Sequence, residues 1–248
     1  MRGNTIKRFF EKLYEMKAKR EKKHIENLII NLQNITNFGE IRIEIDNLSI
    51  PLDEEKIRIT KYLVEFAKKE VAKLYELDLS SEVFSSIGIK IIEMPYDINS
   101  YNNGKFIKEG YYSLEDKKIY LNGTFISRAL DKNKRTLYTY LLNITDVIKT
   151  ISHEFAHVIQ EVKYPNFIDE YKKYSKIHGY FDNEYEIEAI QASLIVAGNF
   201  IKSIKKYINK NKTEIVDEIY NKIKTNFFCP HLEIVQLKER IKRINPEN

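Results

Sequence analysis

The sequence is short of the residues that build several common classes of protein. Its only cysteine is Cys229, so the chain cannot form an internal disulfide or a cysteine-rich zinc site. It has no tryptophan, and its five prolines and eight glycines are too few for a collagen-like or Pro/Gly-rich disordered chain. No run of about 18 apolar residues occurs, so no transmembrane helix is expected. These absences leave a globular protein, for which a cytoplasmic location is expected.

The charge is unevenly distributed along the chain. The first 23 residues hold nine Lys and Arg against three Glu, whereas the whole 248-residue chain has a net charge of only +5. Phe9, Phe10, Leu13 and Met16 are interleaved with these basic residues at helical spacing. We therefore predict a basic amphipathic helix or arm over residues 1–35 and a single domain over 36–248. The arm could bind nucleic acid or an anionic surface, or it could be a solvated helix with one buried stripe.

Strand patterns come early in the chain and helix patterns follow. Apolar and polar residues alternate over 40–45, an apolar strand spans 87–94, a loop spans 99–105, and 110–123 indicates a β-hairpin. Helices are predicted over 134–143, 146–163, 167–177, 183–209, 212–226 and 232–243, in addition to the early helices over 5–35 and after Asp53. This order predicts an α+β fold, mostly helical, with a small, mainly antiparallel sheet packed on one of the later helices.

The stretch "TISHEFAHVIQE" (150–161) carries the strongest chemical pattern. It contains His153, Glu154 and His157 in the order H-E-x-x-H on a predicted helix. Histidines four residues apart project from the same side, one turn apart, so two imidazoles can reach one Zn²⁺ ion. Glu154 points away from the helix side that the two histidines share, so it can approach a metal-bound water without being a ligand. The pattern indicates a hydrolytic zinc site, with His153 and His157 as ligands and Glu154 as the general base.

A third protein ligand is sought in "DNEYEIEAIQAS" (182–193), which offers Glu184, Glu186 and Glu188. Packing favours Glu186, because small residues that would let the two helices approach closely follow on its own helix face: Ala189, Ser193 and Ala197. Glu184 lies on a more polar face. Glu188 is followed on its face by Ala192 and stays open as an alternative.

These residues resemble the zincin metallopeptidases. "IxHExxHVI" is similar to the active helix of that superfamily, and "EIEA" resembles the third-ligand helix of gluzincins, including small cytosolic metallopeptidases of the ImmA/IrrE type. The resemblance implies Glu186 as the ligand. Several such families place Asp or Asn four residues after the ligand, where this chain has Ile190, so a partner for the ligand shell must come from elsewhere.

The resemblance implies a zinc-dependent endopeptidase acting on a protein substrate. The metal lowers the pKa of bound water, and Glu154 takes the proton and passes it to the leaving amine. Candidates for stabilising the oxyanion are Tyr180, His178, Tyr185 and His231, among which the sequence does not choose. Zincins also pair an edge strand with extended substrate, and "GYYS" (110–113) or "KIYL" (118–121) resembles that strand. The alternative is a non-catalytic, metal-containing protein whose basic arm holds nucleic acid or a partner.

Overall fold

The structure is a computed structural model that describes residues 2–34, 42–78, 86–94, 96–97, 106–107, 109–133, 135–178 and 183–225. Its first part contains one long helix, a second helix and six strands: α1 (Arg2–Gln33), β1 (Ile43–Ile45), α2 (Glu54–Leu74), β2 (Gly88–Ile92), β3 (Tyr96–Asp97), β4 (Phe106–Ile107), β5 (Gly110–Ser113) and β6 (Lys118–Asn122). Helices follow: α3 (Gly123–Ala129), α4 (Leu137–Lys163), α5 (Phe167–His178), α6 (Glu184–Ile204) and α7 (Thr213–Thr225), with 3₁₀ turns at Lys205–Tyr207 and Lys210–Lys212. The predicted α+β, mostly helical fold is confirmed. The predicted loop 99–105 and helix 232–243 lie outside the described residues.

The main sheet has four strands in the order β1-β2-β6-β5. The predicted hairpin is confirmed, since β5 and β6 pair antiparallel. The expectation of a mainly antiparallel sheet is wrong, because β1 pairs with β2, and β2 with β6, in parallel. The reason is that α2 connects β1 to β2, and such a crossover returns the chain in the same direction. Strands β3 and β4 form a separate antiparallel pair.

One face of the sheet packs against the helices. Side chains that alternate along the two central strands are at most 2% exposed and belong to the same core as α4: Ile89, Ile91, Ile119 and Leu121. Gly110 of β5 lies so close to this layer that a Cβ added there would come within 2.9 Å of Thr150 Cγ2 on α4. The hairpin edge of the sheet is therefore in close contact with the helix that carries His153 and His157.

Helix α4 is one continuous helix, although the sequence predicted two, over 134–143 and 146–163. Thr136 caps its start through a reciprocal pair of hydrogen bonds with Thr139. Thr145, which lies between the two predicted helices, donates its hydroxyl to the carbonyl of Leu141 at 2.7 Å and so satisfies its polar group within the helix. The result is a 27-residue helix with a buried central section.

Helix α6 packs along α4, and the small residues predicted to follow Glu186 on its face are buried: Ala189, Ser193 and Ala197. Among the described helices, the segment Glu184–Tyr207 is long and apolar enough to cross a membrane, but 61% of its apolar window is buried inside the fold. That degree of burial is typical of the core helix of a soluble protein.

Helix α1 runs without a break through the charged stretch 17–23. Its second half packs into the core through four side chains that are at most 1% exposed: Ile25, Leu28, Ile29 and Leu32. Every residue from 11 to 20 is exposed. The boundary predicted near residue 35 stays a prediction, because residues 35–41 lie outside the described part.

Candidate metal centre

The two histidines of α4 direct their Nε2 atoms toward each other. His153 Nε2 and His157 Nε2 are 3.0 Å apart, and the rings meet edge to face with centroids 4.6 Å apart. Both side chains are largely buried, with 13% of His153 and 9% of His157 exposed. The one-turn spacing predicted from the sequence has therefore placed both nitrogens at one point beneath the surface.

Glu186 of α6 reaches the same point. Its Oε2 lies 3.1 Å from His153 Nε2, and its Oε1 lies 3.5 Å from His157 Nε2. One ligand atom from each of the three residues falls within 4.8 Å of the others, a grouping that could hold a metal ion. The Glu186 side chain is 1% exposed, and its Oε2 is buried without a hydrogen-bond partner of normal geometry. Because a deeply buried carboxylate is costly unless positive charge lies beside it, these residues fit a bound cation.

Electrostatics in this cluster favour positive charge. Burial acts to raise the pKa of Glu186, but hydrogen bonds and charge from His153 and His157 outweigh it and hold that pKa well below its usual range. Burial acts to lower the pKa of His157, but Glu186, Glu154 and Gln160 raise it to about 9. The carboxylates thus create a buried site where a cation or a proton is strongly stabilised.

Gln160 fixes the tautomer of His157. The Gln160 amide nitrogen donates to the backbone carbonyl of Tyr185 at 2.9 Å, so its Oε1 is left as an acceptor. That oxygen lies 2.8 Å from His157 Nδ1, which must therefore carry the proton. In the neutral ring, the lone pair is then on Nε2, facing His153 and Glu186. Sequence reasoning missed Gln160, although its position three residues after a ligand histidine was a usable signal.

Tyr171 of α5 is a second residue that the sequence reasoning missed. Its hydroxyl donates to Glu186 Oε1, and its ring packs edge to face on His157 with centroids 5.8 Å apart. The side chain is only partly buried, so it lies where the cluster approaches the surface. Phe167 and Tyr171 are four residues apart in a helix that begins soon after α4, which is the only sequence signal that could have suggested this placement.

Glu154 lies beside the cluster without joining it. Its charge contributes to the raised pKa of His157, and the side chain is 6% exposed. Within the described part of the chain, no group hydrogen-bonds its carboxylate. This is the position expected from the sequence for a base that is not a ligand.

The two alternative third ligands lie elsewhere. Glu188 is turned away from Glu186 on α6, and its carboxylate accepts the hydroxyls of Tyr75 at 2.7 Å and Tyr164 at 3.2 Å. Burial and the Glu188 charge raise the pKa of both tyrosines, so these hydroxyls stay protonated as donors. Glu188 thereby ties α6 to residues that follow α2 and α4. Glu184 is exposed at the start of α6.

Tyr185 alone of the predicted oxyanion candidates has a described side chain. It is 6% exposed, and its hydroxyl donates to Glu170. It therefore supports α5 and, through its backbone carbonyl, Gln160. The side chains of His178 and Tyr180, together with His231 and Cys229, lie outside the described residues.

Strand β5 is the edge strand beside the cluster, and β6 is internal. Thr150 donates to Glu109 at 2.6 Å just before β5, and Tyr112 of β5 donates to Glu161 of α4. These contacts lie before His153 and after His157, so β5 runs along the histidine segment. The hydrogen bond from the Asn122 N–H to the Glu109 carbonyl makes these two residues a hydrogen-bonded pair of the β5–β6 hairpin. Hydrogen-bonded and non-hydrogen-bonded pairs alternate along antiparallel strands, so the N–H and C=O groups of Gly110 and Tyr112 point away from β6.

Comparison with protein-family models, curated proteins and solved structures finds no match to this chain. The resemblance to zincins and to ImmA/IrrE-type peptidases therefore stays a prediction, carried by the residues themselves. Independent of that resemblance, the structure brings two histidines and a glutamate together in a cluster that could hold a metal ion.

Proposed function

We propose that the protein is a cytoplasmic, zinc-dependent metallopeptidase that hydrolyses peptide bonds of a protein substrate. The observation that carries the proposal is the convergence of His153, His157 and Glu186 within 4.8 Å, with Glu154 beside them. Two imidazoles and one carboxylate form a typical catalytic zinc ligand set, which leaves a coordination position for water or substrate. Zinc is favoured over Mg²⁺ or Ca²⁺, because those ions prefer oxygen ligands alone.

The catalytic steps assigned to this chain are proton transfers and charge stabilisation. Bound zinc supplies a Lewis acid and lowers the pKa of water. Glu154 accepts the proton of the attacking water and later gives it to the leaving amine. Its carboxylate has no hydrogen-bond partner among the described residues that would compete with this role.

Tyr171 is the residue that we assign to the developing oxyanion. Its hydroxyl lies against a ligand oxygen of Glu186 and is partly exposed. A neutral hydroxyl donor beside the ligands can transfer its hydrogen bond to charge that develops on a substrate oxygen. Gln160 acts indirectly, since it keeps the His157 lone pair directed at the ligand position.

Substrate binding is assigned to the outer edge of β5. The outward backbone groups of Gly110 and Tyr112 can pair with an extended chain, which is a general mode of peptide recognition. The strand is anchored to α4 near both of its ends, so a peptide added to it would run beside the histidines. This supports a peptide substrate over a small molecule.

The test is hydrolysis of a peptide library by zinc-loaded wild type and by Glu154→Gln. We expect the wild type to cleave peptides and the variant to keep its zinc while its rate falls at least about 100-fold, since the base is lost. Glu184→Gln, which changes an exposed carboxylate at the start of α6, is the matched control for charge. If wild type and Glu154→Gln both bind zinc and cleave nothing, the non-catalytic metal-containing alternative is favoured.

A further inference from the structure

Helix α1 has an exposed half whose apolar side chains the domain does not cover. Residues 11–20 are all exposed, including Leu13 at 44% and Met16 at 53%. The second half of the same helix is held firmly in the core by Ile25, Leu28 and Leu32. The exposed half is therefore continuous with a helix whose other half belongs to the core.

The exposed apolar residues lie on a different helix face from the core residues. Steps of three and four place one set of residues on a common face: Leu13, Met16, Arg20, His24, Asn27 and Asn31. Glu21, Ile25, Leu28 and Leu32 follow the same steps on the face that packs into the domain. The two faces differ by one residue, which is a rotation of about 100°. Leu13 and Met16 therefore lie on a face turned away from the one that packs into the domain.

A polar pocket opens at the base of this outer face. It has a volume of about 420 Å³ and lies between α1, which contributes His24, Asn27 and Asn31, and the turn after α6, which contributes Lys206, Tyr207 and Asn209. None of the described residues that line it is acidic. The Lys206 ammonium lies 4.8 Å from the centroid of the Tyr207 ring, and no carboxylate within the described residues pairs with it. Amide, imidazole and ammonium donors in one pocket suit an anionic group.

The buried carboxylate of α1, Glu21, is already paired. Glu21 accepts the backbone N–H of Leu137 at 2.9 Å and the ammonium of Lys212 at 2.9 Å, which keeps its pKa low despite partial burial. The first 23 residues carry nine Lys and Arg against three Glu. Positive charge therefore predominates on the arm, and the pocket offers hydrogen-bond donors beside it.

We propose that the outer face of α1 docks the protein onto an anionic lipid membrane. Leu13 and Met16 enter the boundary between headgroups and acyl chains, the basic residues contact lipid phosphates, and the pocket at Lys206 holds a headgroup. A membrane satisfies both requirements, because it offers an apolar layer next to anionic groups. Nucleic acid offers phosphates without an accessible apolar layer, and a second copy would bring two strongly basic helices together.

The test is co-sedimentation of the full-length protein with phosphatidylcholine vesicles, with and without about 30% phosphatidylserine. We expect binding only to the anionic vesicles, weakened severalfold when salt is raised from about 0.1 M to about 0.5 M. Leu13→Ser/Met16→Ser should reduce partitioning at least about tenfold, because it removes apolar area from the docking face. Tyr14→Ser is the matched control: Tyr14 is 74% exposed but lies about 100° away from Leu13, so binding should persist.

A second pair of variants tests the pocket. Lys206→Gln should weaken vesicle binding more than Lys222→Gln, which removes one exposed charge from α7. Equal effects of the two would overturn the headgroup assignment. Absence of vesicle binding would overturn the proposal, as would steeply salt-dependent binding to a DNA duplex that Leu13→Ser/Met16→Ser leaves unchanged. Because all of these residues are exposed, thermal melts of the variants should match the wild type. No catalytic activity is needed for any measurement.

Discussion

Replacing Gln160 with Met tests whether the hydrogen bond behind His157 controls metal binding. The side chain is fully buried and makes two contacts, at 2.8 Å to His157 Nδ1 and at 2.9 Å to the Tyr185 carbonyl. The methionine side chain has a similar length, but its thioether donates no hydrogen bond and accepts one only weakly. The variant leaves one buried N–H and one buried carbonyl unpaired, which costs about 2–4 kcal/mol of folding free energy. For a chain of this size, that lowers Tm by about 5–15 °C.

The same substitution should weaken zinc binding about 10- to 100-fold, because the His157 ring loses the partner that fixes its tautomer and orientation. Zinc affinity is measured by competition with a chromophoric chelator at fixed pH, and stability by thermal melts in EDTA. Gln160→Glu is the matched control: its carboxylate still accepts from Nδ1, so zinc affinity should be retained even though the Tyr185 carbonyl loses its donor. Zinc affinity of Gln160→Met within about threefold of wild type would refute this role for Gln160.

Three further predictions follow from the site and the sheet. Tyr171→Phe should keep zinc and Tm but lower kcat about 10- to 1000-fold with little change in KM, and a matching loss of zinc would instead make Tyr171 a support for Glu186. In EDTA, the stability contributed by protonated His157 is complete below its ordinary pKa of 6.5 and is lost as pH rises through about 9, so Tm should fall across that window. A Tm that is flat there would contradict the raised pKa. Gly110→Ala should lower Tm by several degrees, since its Cβ would meet Thr150 Cγ2 at 2.9 Å and a backbone oxygen at 3.1 Å. Gly88→Ala should cost less, because its Cβ meets only a flexible lysine chain at 3.1 Å.

Local patterns predicted the part of the site that depends on helix periodicity. His153 and His157 share a helix face because they are four residues apart, and the small residues after Glu186, which favoured it as the third member, are buried in α6. Both inferences need only the period of the helix and the sizes of its side chains.

The sequence analysis missed, or predicted wrongly, the features that depend on tertiary contacts. The bonds of Gln160 to Tyr185 and of Tyr171 to Glu186 join residues 25 and 15 positions apart along the chain, and no periodicity encodes those contacts. The direction of β2 relative to β1 was also misjudged, because alternation of side chains is the same in parallel and antiparallel strands. Two helices were predicted where α4 is continuous, and Thr145, which lies between them, has its hydroxyl satisfied inside the helix.

The most direct test of the zinc site is metal analysis of purified wild type, Glu186→Gln and Glu184→Gln after dialysis against a weak chelator. Glu184 is exposed and lies two residues from Glu186 on the same helix, so it controls for charge and expression. We predict about one zinc per chain in wild type and Glu184→Gln, and less than about 0.1 in Glu186→Gln, because a three-residue site loses a charged ligand. Equal zinc in all three proteins, or none in the wild type, would contradict the proposal that His153, His157 and Glu186 form one zinc centre.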